Sequence, residues 1–207
     1  MKKLWDISPP LSPDVPLFPG DTRFAQQWTA RIGPDCPVNV SAITMSMHTG
    51  AHADAPLHYA DGAAPIGELD LAPYLGHCRV IEAIDCGPLV QPAHLRHALS
   101  NLPPRVLVRT CRRAPRQWSP QFSAFAPETI EQLARLGVTL VGIDSQSVDP
   151  ADSKAMPSHH RLLEFQLRVL ENLVLDEVPA GDYELIALPL KLMAADASPV
   201  RAVLREL

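Results

Sequence analysis

Apolar and polar residues alternate, run together or recur at helical spacing along this chain, and each pattern predicts an element. Residues 38–48 (VNVSAITMSMH) alternate: Val38 and Val40, then Ile43, Met45 and Met47, lie on one side, with Thr44, Ser46 and His48 on the other. Period two predicts a strand with one buried face, and the step between Val40 and Ile43 predicts a bulge or a break. Further strands are expected over Lys3–Ile7, 77–85 (HCRVIEAID), Arg105–Arg109, Leu173–Leu175 and Tyr183–Pro189. The continuous apolar run Val138–Ile143 is the pattern of a central strand covered on both faces. Pro127–Leu136 predicts a helix, with proline at its start and Gly137 just past its end. Pro92–Ser100 predicts a helical turn at the surface. Leu162, Leu163, Phe165, Val169 and Leu170 predict a helix over Ser158–Leu170.

Strands and helices interleave, so the expected class is α/β, with few helices. No repeat or linker divides residues 1–207, which predicts a single compact domain. Between the first two strands runs SPPLSPDVPLFPGD, a loop studded with proline and carrying Leu17 and Phe18. Such a loop is often functional or interfacial; packing over a sheet edge is the plain alternative.

Composition narrows the function. The 207 residues are 46% hydrophobic and carry a net charge of -5, so a folded core is expected rather than disorder. With 18 Lys+Arg against 23 Asp+Glu, the chain lacks the basic footprint of a nucleic-acid binder. Its basic cluster, Arg105, Arg109, Arg112, Arg113 and Arg116, reads as a solvated, partly salt-bridged edge. No run of 18 apolar residues exists to span a membrane. Cys36, Cys78, Cys86 and Cys111 form no CxxC pair. With no apolar leader segment in view, they are expected to be reduced and the protein cytoplasmic.

Three of the eight histidines fall in the 11-residue window 48–58, HTGAHADAPLH, where chance would put about 0.4. His48, His52, Asp54 and His58 are all at even positions and would share one side of an extended chain. Gly50 and Pro56 argue against an unbroken helix or strand. The expected arrangement has His48 ending a strand and the other three on a folded loop that wraps a point. Neutral imidazoles with a carboxylate oxygen are a ligand set for zinc, manganese or iron. His159, His160, Glu164 and Glu171 could complete such a site. On an unbroken helix, His160 and Glu171 would share a face and His159 would not.

The segment HTGAHADAPLH closely resembles the HxGTHxDxPxH signature of the cyclase-like metal-dependent hydrolases, with Ala51 in place of the usual threonine. LWDISPPL, VPLFPGD, VGIDSQSVDP and the stretch from HHRLLEFQ to LPLKL are similar to other parts of that family and favour its formamidase branch. The resemblance implies a swivelling β/β/α-like fold with a mixed-sheet core. It implies hydrolysis of N-formyl-L-kynurenine to L-kynurenine and formate, in tryptophan degradation, by a metal-activated hydroxide. An isatin-hydrolase-like enzyme acting on another aryl or cyclic amide is the alternative. Two zinc ions per subunit are implied, with manganese or cobalt possible: His48, His52 and Asp54 for the first, Asp54 bridging to a second held by Glu171 and one histidine of the 159–160 pair. The family spacing favours His159 where the helical phase favours His160. His58 is implied as the acid/base residue, Phe18 as an aromatic contact to substrate, and a homodimer as the assembly. There is no GxSxG segment for a serine nucleophile, and Asp144, Ser145, Gln146, Ser147 and Asp149 read as turn and supporting groups.

Overall fold

The structure, a computed structural model, describes residues 2–207. In chain order its elements are β1 (Leu4–Asp6), β2 (Ala25–Ala30), β3 (Val40–Thr44), β4 (His52–Asp54), β5 (Leu75–Glu82), β6 (Leu89–Val90), α1 (Pro92–Leu95), β7 (Arg105–Arg109), β8 (Ala124–Phe125), α2 (Pro127–Arg135), β9 (Leu140–Ile143), α3 (Pro157–Glu164), β10 (Arg168–Glu171), β11 (Gly181–Ile186), β12 (Ala197–Pro199) and β13 (Val203–Glu206). Nine strands form one mixed sheet in the order β1-β13-β11-β5-β7-β9-β10-β4-β12. Its centre, β5-β7-β9-β10, is parallel, and antiparallel strands extend it on both sides. The first strand pairs with the last, which ties both ends of the chain into a single α/β domain.

The parallel centre is where apolar runs are needed, because both faces are covered. Val106, Val108, Val141, Ile143 and Val169 pack with Leu95 of α1, Ile130 and Leu133 of α2 and Leu162 of α3. Leu107, Leu140 and Leu170 face the other way, into a cluster with Tyr74, Leu173, Leu185 and Leu204. All four residues of β9 are buried, as its sequence predicts. Gly142 in that strand is a packing requirement: a β-carbon there would collide with Leu107 and press on Leu173.

Two helices end by the same device. In α2, the N–H of Val138 bonds to Leu133 O (3.1 Å) and that of Gly137 to Ala134 O (2.9 Å), with Gly137 at a φ of 89°. In α3, Leu167 bonds to Leu162 O (2.9 Å) and Gln166 to Leu163 O (3.2 Å), with Gln166 at a φ of 54°. Both are Schellman closures with an apolar pair across the end. The second corrects the helix expected over Ser158–Leu170: it stops at Glu164, and Arg168–Glu171 is a strand. The 160/171 helical-phase argument therefore fails.

Other expectations change as well. The alternating segment near residue 40 pairs only with β2, and Val38, Val40 and Ile43 lie exposed rather than buried. The irregularity sits in the partner strand, between Trp28 and Ala30. His48 follows β3 rather than ending it, and His52 and Asp54 lie on a strand of the main sheet, not a loop. Leu173–Leu175 is not a strand; its buried leucines pack irregularly, with Val174 N–H bonded to Ile7 O (2.9 Å). In the arginine cluster, Arg109 pairs with Glu82 and Arg112 with Asp85. No helix among the described residues is long and apolar enough to cross a membrane.

Candidate metal centre and active site

Strand β4 is the floor of the site. Ala51, Ala53 and Ala55 are buried in the core, and Ala53 is the residue between His52 and Asp54, so the period of a strand sends these two to the opposite face. The antiparallel register then sets Glu171 of β10 directly across from His52. The N-terminal turn of α3 adds His159, and a 3₁₀ turn at Pro56–His58 carries His58 back over the strand. His52, Asp54, His159 and Glu171 retain at most 3% of their exposure. Ionisable groups are almost never this buried unless paired or bound to a metal.

The two oxygens of Asp54 face different partners. Oδ1 lies 3.0 Å from His48 Nδ1 and 3.3 Å from His52 Nε2, whereas Oδ2 lies 3.6 Å from His159 Nε2. Glu171 stands between the two sides, with Oε2 3.4 Å from His52 Nε2 and Oε1 3.7 Å from His159 Nε2. The opposite nitrogens of these imidazoles are anchored. His52 Nδ1 meets Gly50 O at 2.8 Å, His159 Nδ1 meets Asp149 Oδ2 at 2.7 Å, and His48 Nε2 meets Asp196 Oδ2 at 2.9 Å. Each outer nitrogen is thus assigned as the N–H donor, which leaves a lone pair on the inner one. Backbone amides hold the supporting carboxylates: Ser158 and His159 N–H donate to Asp149 (3.0 Å each), and Val148 N–H to Glu171 (2.8 Å).

His52 Nε2, His159 Nε2 and both Asp54 oxygens are buried without a hydrogen-bond partner. Four converging acceptor atoms left unpaired would be costly, and a divalent cation satisfies them together. His52, Asp54 and Glu171 offer donor atoms within 4.8 Å of one another, as do His48, Asp54 and His58. The residues present therefore fit a metal. Electrostatics agree. Burial pulls the imidazoles down, but the carboxylates outweigh it: His48 is raised to about 9 by Asp196 and Asp54, and His52 and His159 to about 10. Burial pushes the Asp54 carboxyl up, yet the surrounding imidazoles hold it well below its usual range. The pocket draws positive charge, as protons or as a cation.

The cluster opens into a cleft of about 240 Å³ lined also by Phe18, Gln146 and Met156. Larger hollows, of about 650 and 820 Å³, flank it but lack the imidazoles. Of the site residues expected from sequence, His160 and Glu164 lie exposed outside this cleft, Glu164 paired with Arg161, and the others reach the cleft or its wall. Phe18 stands at the mouth, edge-to-face on Trp118 at 5.8 Å between centroids. Sequence reasoning missed Asp196, a lone acid 138 residues beyond His58 with nothing local to mark it. Gln146, read from sequence as a supporting group, lines the cleft with its amide atoms buried and unpartnered.

A mixed sheet presenting a buried His/Asp/Glu cluster to a cleft defines an enzyme of the metal-dependent hydrolase fold. The chain belongs to the cyclase family: the family described as "Putative cyclase" matches residues 5–150. It is 66% identical, over the full length of both chains, to "Kynurenine formamidase" of Bordetella pertussis. Among solved structures it is similar to a predicted metal-dependent hydrolase from Bacillus stearothermophilus (TM-score 0.85, 26% identity, all of both chains covered). It shares its fold with isatin hydrolase A from Labrenzia aggregata (TM-score 0.85, 21% identity, 99% of this chain and 93% of that one).

Proposed function

We propose that this chain is an arylformamidase that hydrolyses N-formyl-L-kynurenine to L-kynurenine and formate in tryptophan degradation, at a site for two zinc ions. The observation that carries the reading is Asp54, a buried carboxylate whose Oδ1 faces His48 and His52 and whose Oδ2 faces His159, with His52 Nε2 and His159 Nε2 unpaired. The full-length relative named for that activity supports the choice of substrate. His48, His52 and Asp54 would hold one ion, and Asp54, His159 and Glu171 the other. Zinc, or the manganese or cobalt that the same donors accept, supplies Lewis acidity when bound, polarising a carbonyl oxygen and lowering the pKa of water.

The chain's own groups do the rest. Burial of the cluster beneath a small cleft keeps bulk water from screening the charge that develops on the formyl oxygen. Phe18 at the mouth offers an apolar edge to the substrate's aryl ring. His58, in the cleft and not among the buried residues, is placed to give a proton to the departing aryl nitrogen. The deciding test is turnover of N-formyl-L-kynurenine and isatin side by side by zinc-loaded protein, with a chelated control. Isatin cleavage without formamide cleavage would refute the reading in favour of an isatin-hydrolase-like enzyme.

A homodimer in the cytoplasm completes the proposal. Trp28, Val40 and Ile43 stand exposed on the β2–β3 ribbon, which a second copy would cover. The four cysteines are free, as suits a reducing compartment. A monomer by light scattering at micromolar concentration would remove the dimer.

A further inference from the structure

We propose that Asp196 is the positioning residue that sets the proton-donating nitrogen of His58, an inference that rests on the arylformamidase reading above. A single oxygen, Oδ2, meets both His48 Nε2 (2.9 Å) and His58 Nδ1 (3.3 Å). The two rings lie 4.2 Å apart between centroids and are tilted 43° to one another, so one carboxylate holds a pair of neighbouring imidazoles. It is the only side chain bonded to His58 among the described residues.

The carboxylate is not needed to hold its own loop. Backbone bonds do that: Ala55 N–H to Asp196 O (2.8 Å), Ile66 N–H to Ala195 O (3.0 Å), and β12 paired with β4 immediately afterwards. The side chain is 43% exposed and reaches back to the site instead of into solvent. An aspartate so placed fixes a histidine tautomer: with Nδ1–H donated to Oδ2, Nε2 is the nitrogen left to exchange a proton in the cleft. As the formamide C–N bond breaks, its electron pair stays on nitrogen and takes the Nε2 proton of the His58 imidazolium. The ring remains neutral, with Nδ1–H still bonded to Asp196. The same oxygen anchors the outer nitrogen of His48, so one carboxylate aligns a metal-side imidazole with the proton donor.

The test compares the parent with Asp196→Asn and Asp196→Ala as zinc-loaded full-length proteins. Long-range ¹H–¹⁵N NMR reads the neutral His58 tautomer, and steady-state kinetics reads kcat and KM for N-formyl-L-kynurenine. The expected result is Nδ1–H in the parent and a shift toward Nε2–H in Asp196→Ala. kcat should fall about 10–100-fold at unchanged KM, with Asp196→Asn intermediate because its carbonyl oxygen can still accept. An unchanged tautomer in Asp196→Ala overturns the proposal, whether or not kcat or melting temperature falls. So does an unchanged kcat beside a shifted tautomer. If the parent fails to turn over the formamide, the functional reading falls, while the tautomer measurement still decides what Asp196 does to His58.

Discussion

Replacing Asp149 with alanine should weaken the metal site and the fold together, by amounts the hydrogen bonds let us work out. Asp149 is 2% exposed and accepts three bonds: Ser158 N–H and His159 N–H at 3.0 Å, and His159 Nδ1 at 2.7 Å. The two backbone donors belong to the first turn of α3, whose own N-cap residue, Met156, supplies no side-chain bond. Asp149 is therefore a remote cap, and losing a cap costs about 0.5–2 kcal/mol. Stranding the buried imidazole N–H adds about 1–3 kcal/mol. The total is a loss of about 2–4 kcal/mol, allowing for non-additivity within one network. The freed His159 ring should loosen zinc by about 10–100-fold, the usual effect of removing a ligand's orienting partner. Chelator competition gives the zinc affinity, and denaturant unfolding of the metal-free chain gives the stability. Burial pushes the Asp149 carboxyl up, but His159 and the two amides outweigh it and hold it below the ordinary 3.8. Its contribution is thus present above pH 4 and lost as pH falls through the depressed value, so parent and variant should converge in acid. Equal zinc affinity and equal stability in the two proteins at neutral pH would refute this reasoning.

Other expectations follow from the same geometry. Asp54→Ala should lose metal and activity together by elemental analysis and assay. His58→Ala should retain metal and lose about 10²–10⁴ in kcat; loss of metal as complete as in His52→Ala would make His58 a ligand. With His48 raised to about 9 and His52 and His159 to about 10, the metal-free chain gains stability from these groups below pH 6.5 and loses it as pH rises through 9–10. Zinc displaces those protons, so its stabilising thermal shift should grow from pH 6 to 9, by about tenfold in affinity per pH unit for each proton released. A shift independent of pH would contradict the protonated cluster. Gly142→Ala should destabilise by about 1–3 kcal/mol through overpacking against Leu107 and Leu173, measured by denaturant midpoint, with the imidazole and carboxylate cluster untouched.

Much of this was legible in the chain. The period-two spacing of His52 and Asp54 marks a common strand face, the density of histidines around them marks a common chemistry, and VTLVGI announces a strand covered on both sides. Gly137 ends α2 visibly because glycine takes a left-handed φ without strain. The matching end of α3 was not legible: Gln166 adopts the same conformation with a side chain that advertises nothing. The apolar spacing therefore predicts a helix through to Leu170, where the structure has a helix ending at Glu164 and a strand that carries Glu171. The apolar alternation of residues 38–48 was also a true strand signal, but it said nothing of what would cover its face.

What the sequence determined alone was therefore local: periodicity, punctuation by proline and glycine, and a ligand set dense enough to name its chemistry. Tertiary structure decided which distant groups meet it. The register of β4 against β10 brings Glu171 across from His52, the first turn of α3 selects His159 over His160, and the return of the chain into β12 delivers Asp196 to His48 and His58. Those meetings depend on strand pairing over gaps of more than a hundred residues. No local spacing encodes such pairing, because it is settled by which apolar faces can be buried together.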